Sequence, residues 1–527
     1  YRVVGFDEAA VEAVLAQLVP ERLQVWAIDQ AQEVSETLTF YEGQYAVEPL
    51  ETLAPAGLLA RVAPYELALP AQNSLLPEQF TIVSTQSEPQ RVIDEPGLSV
   101  WLQGSEAFAQ LPRGYTQLYL NSPVRQQRVD AAVMMVLWAD LYNLNETALI
   151  TEAGIAGMGL SLQLDEGLRI SISGFTDKQP ELLAAALSAL RVSPDEQALT
   201  QALDRFSRGL QNRKREMPVS QLGRTLSGLT QTGFYDEASL REAASQITPS
   251  KFTAFVDELL AHALVRVYLF GNYDRAFAET MAQRIREGLP ARPDSESGYA
   301  RKRFYAPESG KTVTYNTDLP VDDLGMMLLY AAPDATVESE AAGRVLARHL
   351  RNRVFDTLRT EEQLGYAAGG IATTLQDHPV IGFYIQTPVK GPVEMLARFE
   401  AFTEEYGETL EALSADQFAN LKSGVLTALT EPPTNLADEA GPFLSDWNRE
   451  RYEFGSRQQM IAAVEAVTID DVRAHYRDTV LGSKTSRILI QLRGERWSDS
   501  PFAMIAGETV IDSIEAFHES MPLQPLD

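Results

Sequence analysis

One unit recurs along the chain and limits what it can fold into. A polar cap region, an amphipathic helix and a strand rich in Val, Ile, Leu or aromatic residues follow one another in FDEAAVEAVLAQLVPERLQVWAI from Phe6. The same order occurs in ITPSKFTAFVDELLAHALVRVYLF from Ile247 and VTIDDVRAHYRDTVLGSKTSRILI from Val467. The starts lie about 240 and about 220 residues apart, close to the upper size of one compact domain. A 527-residue chain built this way should hold the tail of one domain and two whole ones. Pro49, Pro55, Pro64, Pro70 and Pro77 punctuate a stretch of little periodicity, and GLPARPDSESG from Gly288 is a second connector. Expected boundaries are therefore 1–50, 51–290 and 291–527.

Within the middle domain, Ser122 and Pro123 suit an N-cap and first turn, followed by Val129, Val133, Val136, Leu137, Leu141 and Leu144 at helical spacing. Met134, Met135 and Trp138 on that helix read as packing residues. Leu168, Ile170 and Ile172 alternate with Arg169, Ser171 and Ser173, as in a strand with one wet face. The last domain repeats the theme with strands at Met326–Tyr330 and around Val380–Ile385. The fold class is α+β: two similar domains, each an antiparallel-rich sheet with helices packed on one side, preceded by the tail of a third.

Charge and composition narrow the partners. Lys+Arg of 44 against Asp+Glu of 73 gives a net charge of -29, which repels a phosphate backbone, so no nucleic-acid partner is expected. The acidity favours basic peptides, or equally reflects a salty medium. Without cysteine there are no disulfides, thiolate metal sites or thiol nucleophiles. No apolar run is long enough to span a bilayer, so no membrane partner is expected, while homo-oligomerisation stays open. Tyr1 is preceded by no initiator Met, and the chain reads as part of something longer.

Function is legible in FDTLRTEEQLGY, Phe355 to Tyr366. Leu346, Leu350, Val354 and Leu358 form the buried stripe of a helix that starts after Glu338. Phe355 and Arg359 are four apart on a neighbouring face; Gly365 then permits a sharp exit, and Tyr366 opens a strand. A fixed cation, an aromatic wall and a phenolic hydroxyl converge at one helix end and suit gripping a peptide carbonyl. The competing reading is structural: an arginine in a last turn favours the helix dipole and pairs with Glu361 or Glu362, for about 0.3–1 kcal/mol.

FDTLRTEEQLGY resembles the C-terminal-half motif of the insulinase, or pitrilysin-like, zinc metallopeptidase family. LNETALITEAGIAGMGLSL from Leu144 and GFTDKQPELL from Gly174 resemble its third domain, and EPPTNLADEAGPFLSDWNRERYEF from Glu431 its fourth. FYEGQYAVEPL from Phe40 and LALPAQNSLLPEQF from Leu67 resemble the end of its second domain and the start of its third. The resemblance implies a protease half that closes like a clamshell with a zinc-bearing N-terminal half around peptide substrates. It assigns Arg359 and Tyr366 to catalysis and Phe355 to substrate binding, facing an internal cavity, and it suggests a periplasmic or secreted location.

One departure decides the rest. His262, His349, His378, His475 and His518 are the only histidines, and none belongs to the family's H-x-x-E-H zinc motif. A hydrolytic zinc needs typically three protein ligands, so no metal site is expected here; zinc belongs to the N-terminal half, and the chain alone should be inactive. No G-x-S-x-G elbow or P-loop appears. The alternative is a naturally separate, noncatalytic partner or structural subunit that pairs with a zinc-bearing homologue.

Overall fold

The computed structural model describes residues 7–19, 22, 24–29, 31–40, 43–49, 71–122, 128–164, 167–289, 308–375, 378–482 and 485–520. Two compact units divide the chain at 1–72 and 73–527. The first contains helix α1 (Glu8–Leu15), capped by the Asp7 side chain, and the short pair β1 (Glu36–Thr37) and β2 (Gln44–Tyr45). The strand expected after α1 is missing from the described residues there: Trp26 and Ile28 stand 84% and 95% exposed, and a strand has no neighbour to pair with. Most of the proline-rich stretch, 50–70, lies outside the described residues, as does 290–307 in the second connector.

The second unit holds two six-stranded sheets. The first is built from β3 (Gln90–Glu95), β4 (Leu98–Gln103), β5 (Arg113–Asn121), β6 (Met158–Leu164), β7 (Leu168–Phe175) and β8 (Leu264–Gly271). Between β5 and β6 come helices α2 (Val129–Asn145) and α3 (Thr147–Ile155). Helix α4 (Pro218–Thr230) follows β7, and α5 (Pro249–Ala261) leads into β8. The second sheet contains β9 (Thr312–Asp318), β10 (Leu324–Ala331), β11 (Ala367–Leu375), β12 (His378–Thr387), β13 (Ser486–Arg493) and β14 (Thr509–Ile511). Helix α6 (Val337–Val354) joins β10 to β11; α7 (Pro392–Glu411), α8 (Ala415–Thr430), α9 (Leu436–Asn448) and α10 (Ile469–Tyr476) separate β12 from β13, and α11 (Ile514–Ser520) follows β14.

The strand orders are β6-β7-β5-β8-β4-β3 and β11-β12-β10-β13-β9-β14. Strand β8 runs parallel to β4, and β13 and β14 both run parallel to β9; the other pairings of the two sheets are antiparallel. Two of the three repeat copies thus become α5–β8 and α10–β13, at matching places in matching sheets. Central strands β8 and β10 are buried along their whole length, as expected of strands covered on both faces, and β8 carries the buried Arg266 within its apolar run. Leu168, Ile170 and Ile172 face the core and alternate with half-buried neighbours. Met134, Met135 and Trp138 are buried in the core between α2 and the first sheet. Helix α2 starts at Val129 with Arg128 as its cap, not at Ser122, and Pro123 lies outside the described residues. Val136 and Leu144 of the expected stripe are exposed.

Most helices pack on one face of each sheet. The opposite faces are covered by exchange. Leu222 and Leu229 of α4, from the first domain's sequence, pack on Val313, Leu329 and Ile490 of the second sheet. Trp447 of α9, from the second, packs on Trp101, Tyr119, Tyr268 and Phe270 of the first.

Candidate functional site

Helix α6 begins at Val337, two residues before the expected start, because the Thr336 hydroxyl accepts from the Ser339 N–H. Its stripe is core as read: Leu346, Leu350, Val354 and Leu358 are all buried against the second sheet. Beyond Val354 the chain widens into a π-helical turn, Phe355–Glu361, a local irregularity frequent at functional positions. The Glu362 N–H returns to the Thr357 carbonyl at 2.9 Å and the Leu364 N–H to Leu358 at 2.9 Å, which closes the turn.

The exit differs from expectation in one detail. Gln363, with φ 51°, takes the left-handed conformation, and Gly365 does not. Gly365 is needed for close approach instead, since a Cβ there would stand 2.0 Å from the Gln386 carbonyl oxygen. The Thr387 hydroxyl donates to the Leu364 carbonyl and pins the same junction. Tyr366 follows, one residue before edge strand β11.

These elements bring the three expected residues together. The Arg359 guanidinium carbon lies 4.5 Å from the Phe355 ring centroid and 4.7 Å from that of Tyr366. Two aromatic contacts hold the cation's orientation, and the ring quadrupoles attract it. Neither Glu361 nor Glu362 pairs with it. Glu362 is taken by Arg398 of α7, Nη2 to Oε1 at 2.6 Å and Nε to Oε2 at 2.9 Å, and Arg398 also reaches Glu405 at 2.9 Å. Among the described residues the Arg359 guanidinium and the Tyr366 hydroxyl have no hydrogen-bond partner or ion pair of their own. Five N–H donors and a hydroxyl are thus available to an acceptor such as a carbonyl oxygen.

The group lies open on the surface of the described residues. Tyr366 is 83% exposed and Phe355 41%, because nothing in the described residues of the second unit forms a facing wall. Arg398 escaped the sequence reading, and with it the pairing that takes Glu362; the two lie 36 residues apart and no local pattern couples them. The π-helical turn likewise carries no sequence signal.

The described residues do not form a site that fits a zinc ion. No group of three or more His, Asp or Glu side chains is placed to hold a metal among the described residues. The histidines are dispersed into separate contacts: His349 with the Tyr406 hydroxyl at 3.0 Å, His378 with the Ala332 carbonyl at 2.7 Å, His475 with the Ser339 hydroxyl at 3.2 Å and His518 with the Leu229 carbonyl at 3.3 Å. His262 is the C-cap residue of α5.

The fold is a duplicated α+β domain that carries an arginine–tyrosine pair at a helix exit. Residues 1–243 match the family model described as the middle or third domain of peptidase M16, and 345–444 match that of PQQ synthase PqqF-like, C-terminal lobe domain 4. Protease 3 of Shigella flexneri is 24% identical over 524 residues, which cover 98% of this chain and 54% of that protein. The crystal structure of pitrilysin superposes with a TM-score of 0.85 at 23% identity, covering 99% of this chain and 56% of that one. A peptidase M16 inactive domain from Pseudomonas fluorescens superposes at 0.56 and 15% identity, over 80% of this chain and 100% of its own. The chain is similar to the C-terminal half of metallopeptidases of the insulinase, pitrilysin-like family. It spans about half the length of the curated relatives it matches.

Proposed function

We propose that this chain is the metal-free C-terminal half of a zinc-dependent oligopeptidase, and that it binds peptide in a chamber completed by an N-terminal, zinc-bearing half. The observation that carries the reading is the Arg359 guanidinium, set between the rings of Phe355 and Tyr366 and committed to no carboxylate. During attack on a peptide bond, negative charge grows on the carbonyl oxygen. Arg359 and the Tyr366 hydroxyl donate to that oxygen or its neighbours, and Phe355 lines the bound peptide. Donors that need no reorganisation at that moment lower the barrier. The exposure of Tyr366 in this half fits a residue whose facing wall comes from the other. Zinc and the nucleophile belong to that other half.

Arg359→Ala and Tyr366→Phe, made in the full-length enzyme, should each lower peptide turnover by about 100-fold, as loss of one such donor does elsewhere. Zinc content and melting temperature stay unchanged. Wild-type rates in both variants would remove the catalytic role. The chain alone should cleave no peptide with added zinc, and chelator-sensitive hydrolysis by the pure chain would overturn the half-enzyme reading.

A second reading is favoured by one comparison: the inactive domain from Pseudomonas fluorescens is matched over its whole length. On that reading this chain is a separate noncatalytic subunit that pairs with a zinc-bearing homologue. An in-frame H-x-x-E-H upstream of Tyr1 selects the first reading, and a start codon close to Tyr1 selects the second. A periplasmic or secreted location suits either, since a chain without cysteine has no thiol to lose to an oxidising compartment. No helix of the described residues is long and apolar enough to cross a membrane.

A further inference from the structure

A cavity of about 370 Å³ opens between α6, the end of the β11–β12 hairpin and α8. Arg344, Arg348 and Arg351 line it at spacings that set them along one side of α6, with Thr373 and Thr374 of β11 also in the wall. In a chain of net charge -29, cations gathered in this way would be expected to attract carboxylates of their own protein. Among the described residues only Arg344 has done so, pairing at 2.7 Å with Glu340, which lines the same cavity.

Arg348 is held in another manner. Its Nη1 donates to the Gly424 carbonyl at 2.9 Å, and α8 closes on the guanidinium because Gly424 has no side chain; a Cβ there would stand 2.8 Å from Cζ. The cation is fixed without an acidic partner among the described residues. Arg351 has neither hydrogen bond nor ion pair among them. His475 lines the same cavity while nine-tenths buried, and its Nε2 has no hydrogen-bond partner. Burial pushes its pKa down to about 4, so the ring is neutral at pH 7. The Ser339 hydroxyl lies 3.2 Å from Nδ1, so Nε2 is the ring nitrogen left without a partner, and it donates in the tautomer that carries the proton there. A buried polar atom left unpaired is costly, and a ligand that engaged it would offset that cost.

We propose that this cavity binds a compact oxyanion, a carboxylate or a phosphate carried on a small organic body, with Arg348 and Arg351 taking the charge and His475 donating from Nε2. Guanidinium forks match both anions in shape, and the volume lies within the range of small-molecule pockets. The site is independent of Arg359 and Tyr366 and does not rest on the peptidase reading.

The test titrates the 527-residue protein, labelled with ¹⁵N at histidine, with inorganic phosphate and separately with succinate at constant ionic strength set by chloride. A saturable shift of the His475 ring signals is expected with at least one of them. Arg348→Gln/Arg351→Gln should weaken that affinity at least about tenfold, while Arg286→Gln in the first domain leaves it unchanged. Tighter phosphate binding identifies a phosphate ligand, and tighter succinate binding a carboxylate. Absence of a saturable His475 shift with both anions overturns the proposal, as does an affinity unchanged in a folded double variant. If the double variant fails to fold, the wild-type His475 signals still decide.

Discussion

Arg398 holds both carboxylate oxygens of Glu362, at 2.6 and 2.9 Å, and so keeps Glu362 from Arg359 at the same helix exit. The pair is partly buried, with the Arg398 side chain 15% exposed, so its geometry is better fixed than that of a free surface bridge. In the full-length enzyme, Arg398→Met releases Glu362 to compete for the Arg359 guanidinium. Turnover should then fall by about 5- to 30-fold, the range of a charge-assisted hydrogen bond misdirected. Glu362→Gln/Arg398→Met removes the competitor and should restore most of the rate. A double variant as slow as the single one would show that Arg398 acts through stability alone.

The aromatic sandwich makes a graded forecast. Phe355→Ala removes one of the two ring contacts, worth about 0.5–1 kcal/mol at an exposed site, so kcat/KM should drop by about two- to fivefold. Arg359→Lys keeps the charge and loses the planar fork, and should retain most of the defect of Arg359→Ala. Steady-state rates on one fluorogenic peptide across the three variants check the order. Full activity in Arg359→Lys would mean that a point charge suffices.

The parts that could be read in the sequence were those with a period or a spacing. The stripe through Leu346, Leu350, Val354 and Leu358 and the alternation through Leu168, Ile170 and Ile172 each report one buried face, and each is where it was expected. Phe355, Arg359 and Tyr366 meet because the first two share a helical spacing and the third follows a tight exit. What stayed hidden depends on chain segments far apart. No local pattern tells that Trp447 will cover Tyr268, or that Arg398 will take Glu362. The exit residue was misread because Gln363, not the neighbouring glycine, carries the positive φ. After α1 the apolar segment has the composition of a strand, but a strand is defined by pairing, which composition does not supply.

Exchange of covering helices ties the two domains of the second unit together. Arg266, on β8 and buried, donates to the Trp447 carbonyl at 3.2 Å, lies 4.9 Å from the Trp447 ring and reaches Glu450 at 3.5 Å. Glu439 of α9 accepts backbone N–H bonds from Glu106 and Ala107 at 2.7 and 3.1 Å. Residues 73–527 should therefore unfold in one transition by calorimetry. Trp447→Ala should cost about 3–5 kcal/mol in urea unfolding, as deletion of a large buried aromatic does. Two resolved transitions in the wild type, one per sheet, would contradict this coupling.

Asp236 and Glu515 form a carboxyl pair that makes stability depend on pH. Glu515 lies on α11, and its Oε1 accepts the Asp236 N–H at 2.8 Å. Burial, then the hydrogen bond and charge of Glu515, push the Asp236 carboxyl up to about 7 from its ordinary 3.8. Glu515, against the desolvation of its own burial, is held below its ordinary range by hydrogen bonds from Asp236. The pair thus keeps one proton, on Asp236, at weakly acidic pH. Because the folded state binds that proton more tightly than the unfolded chain, its stabilisation is complete below about pH 4 and is lost as pH rises through about 7. A shift of this size would correspond to about 4 kcal/mol if fully buried; screening at this half-exposed site reduces it to about 1–2 kcal/mol. Asp236→Asn retains a donor without the titration. Between pH 5.5 and 8.5, where about half of that stabilisation is lost, the wild type should therefore lose about 0.5–1 kcal/mol more than Asp236→Asn, read as the difference between their urea midpoints at each pH. Parallel pH profiles for the two proteins would show that the pair contributes no linked proton.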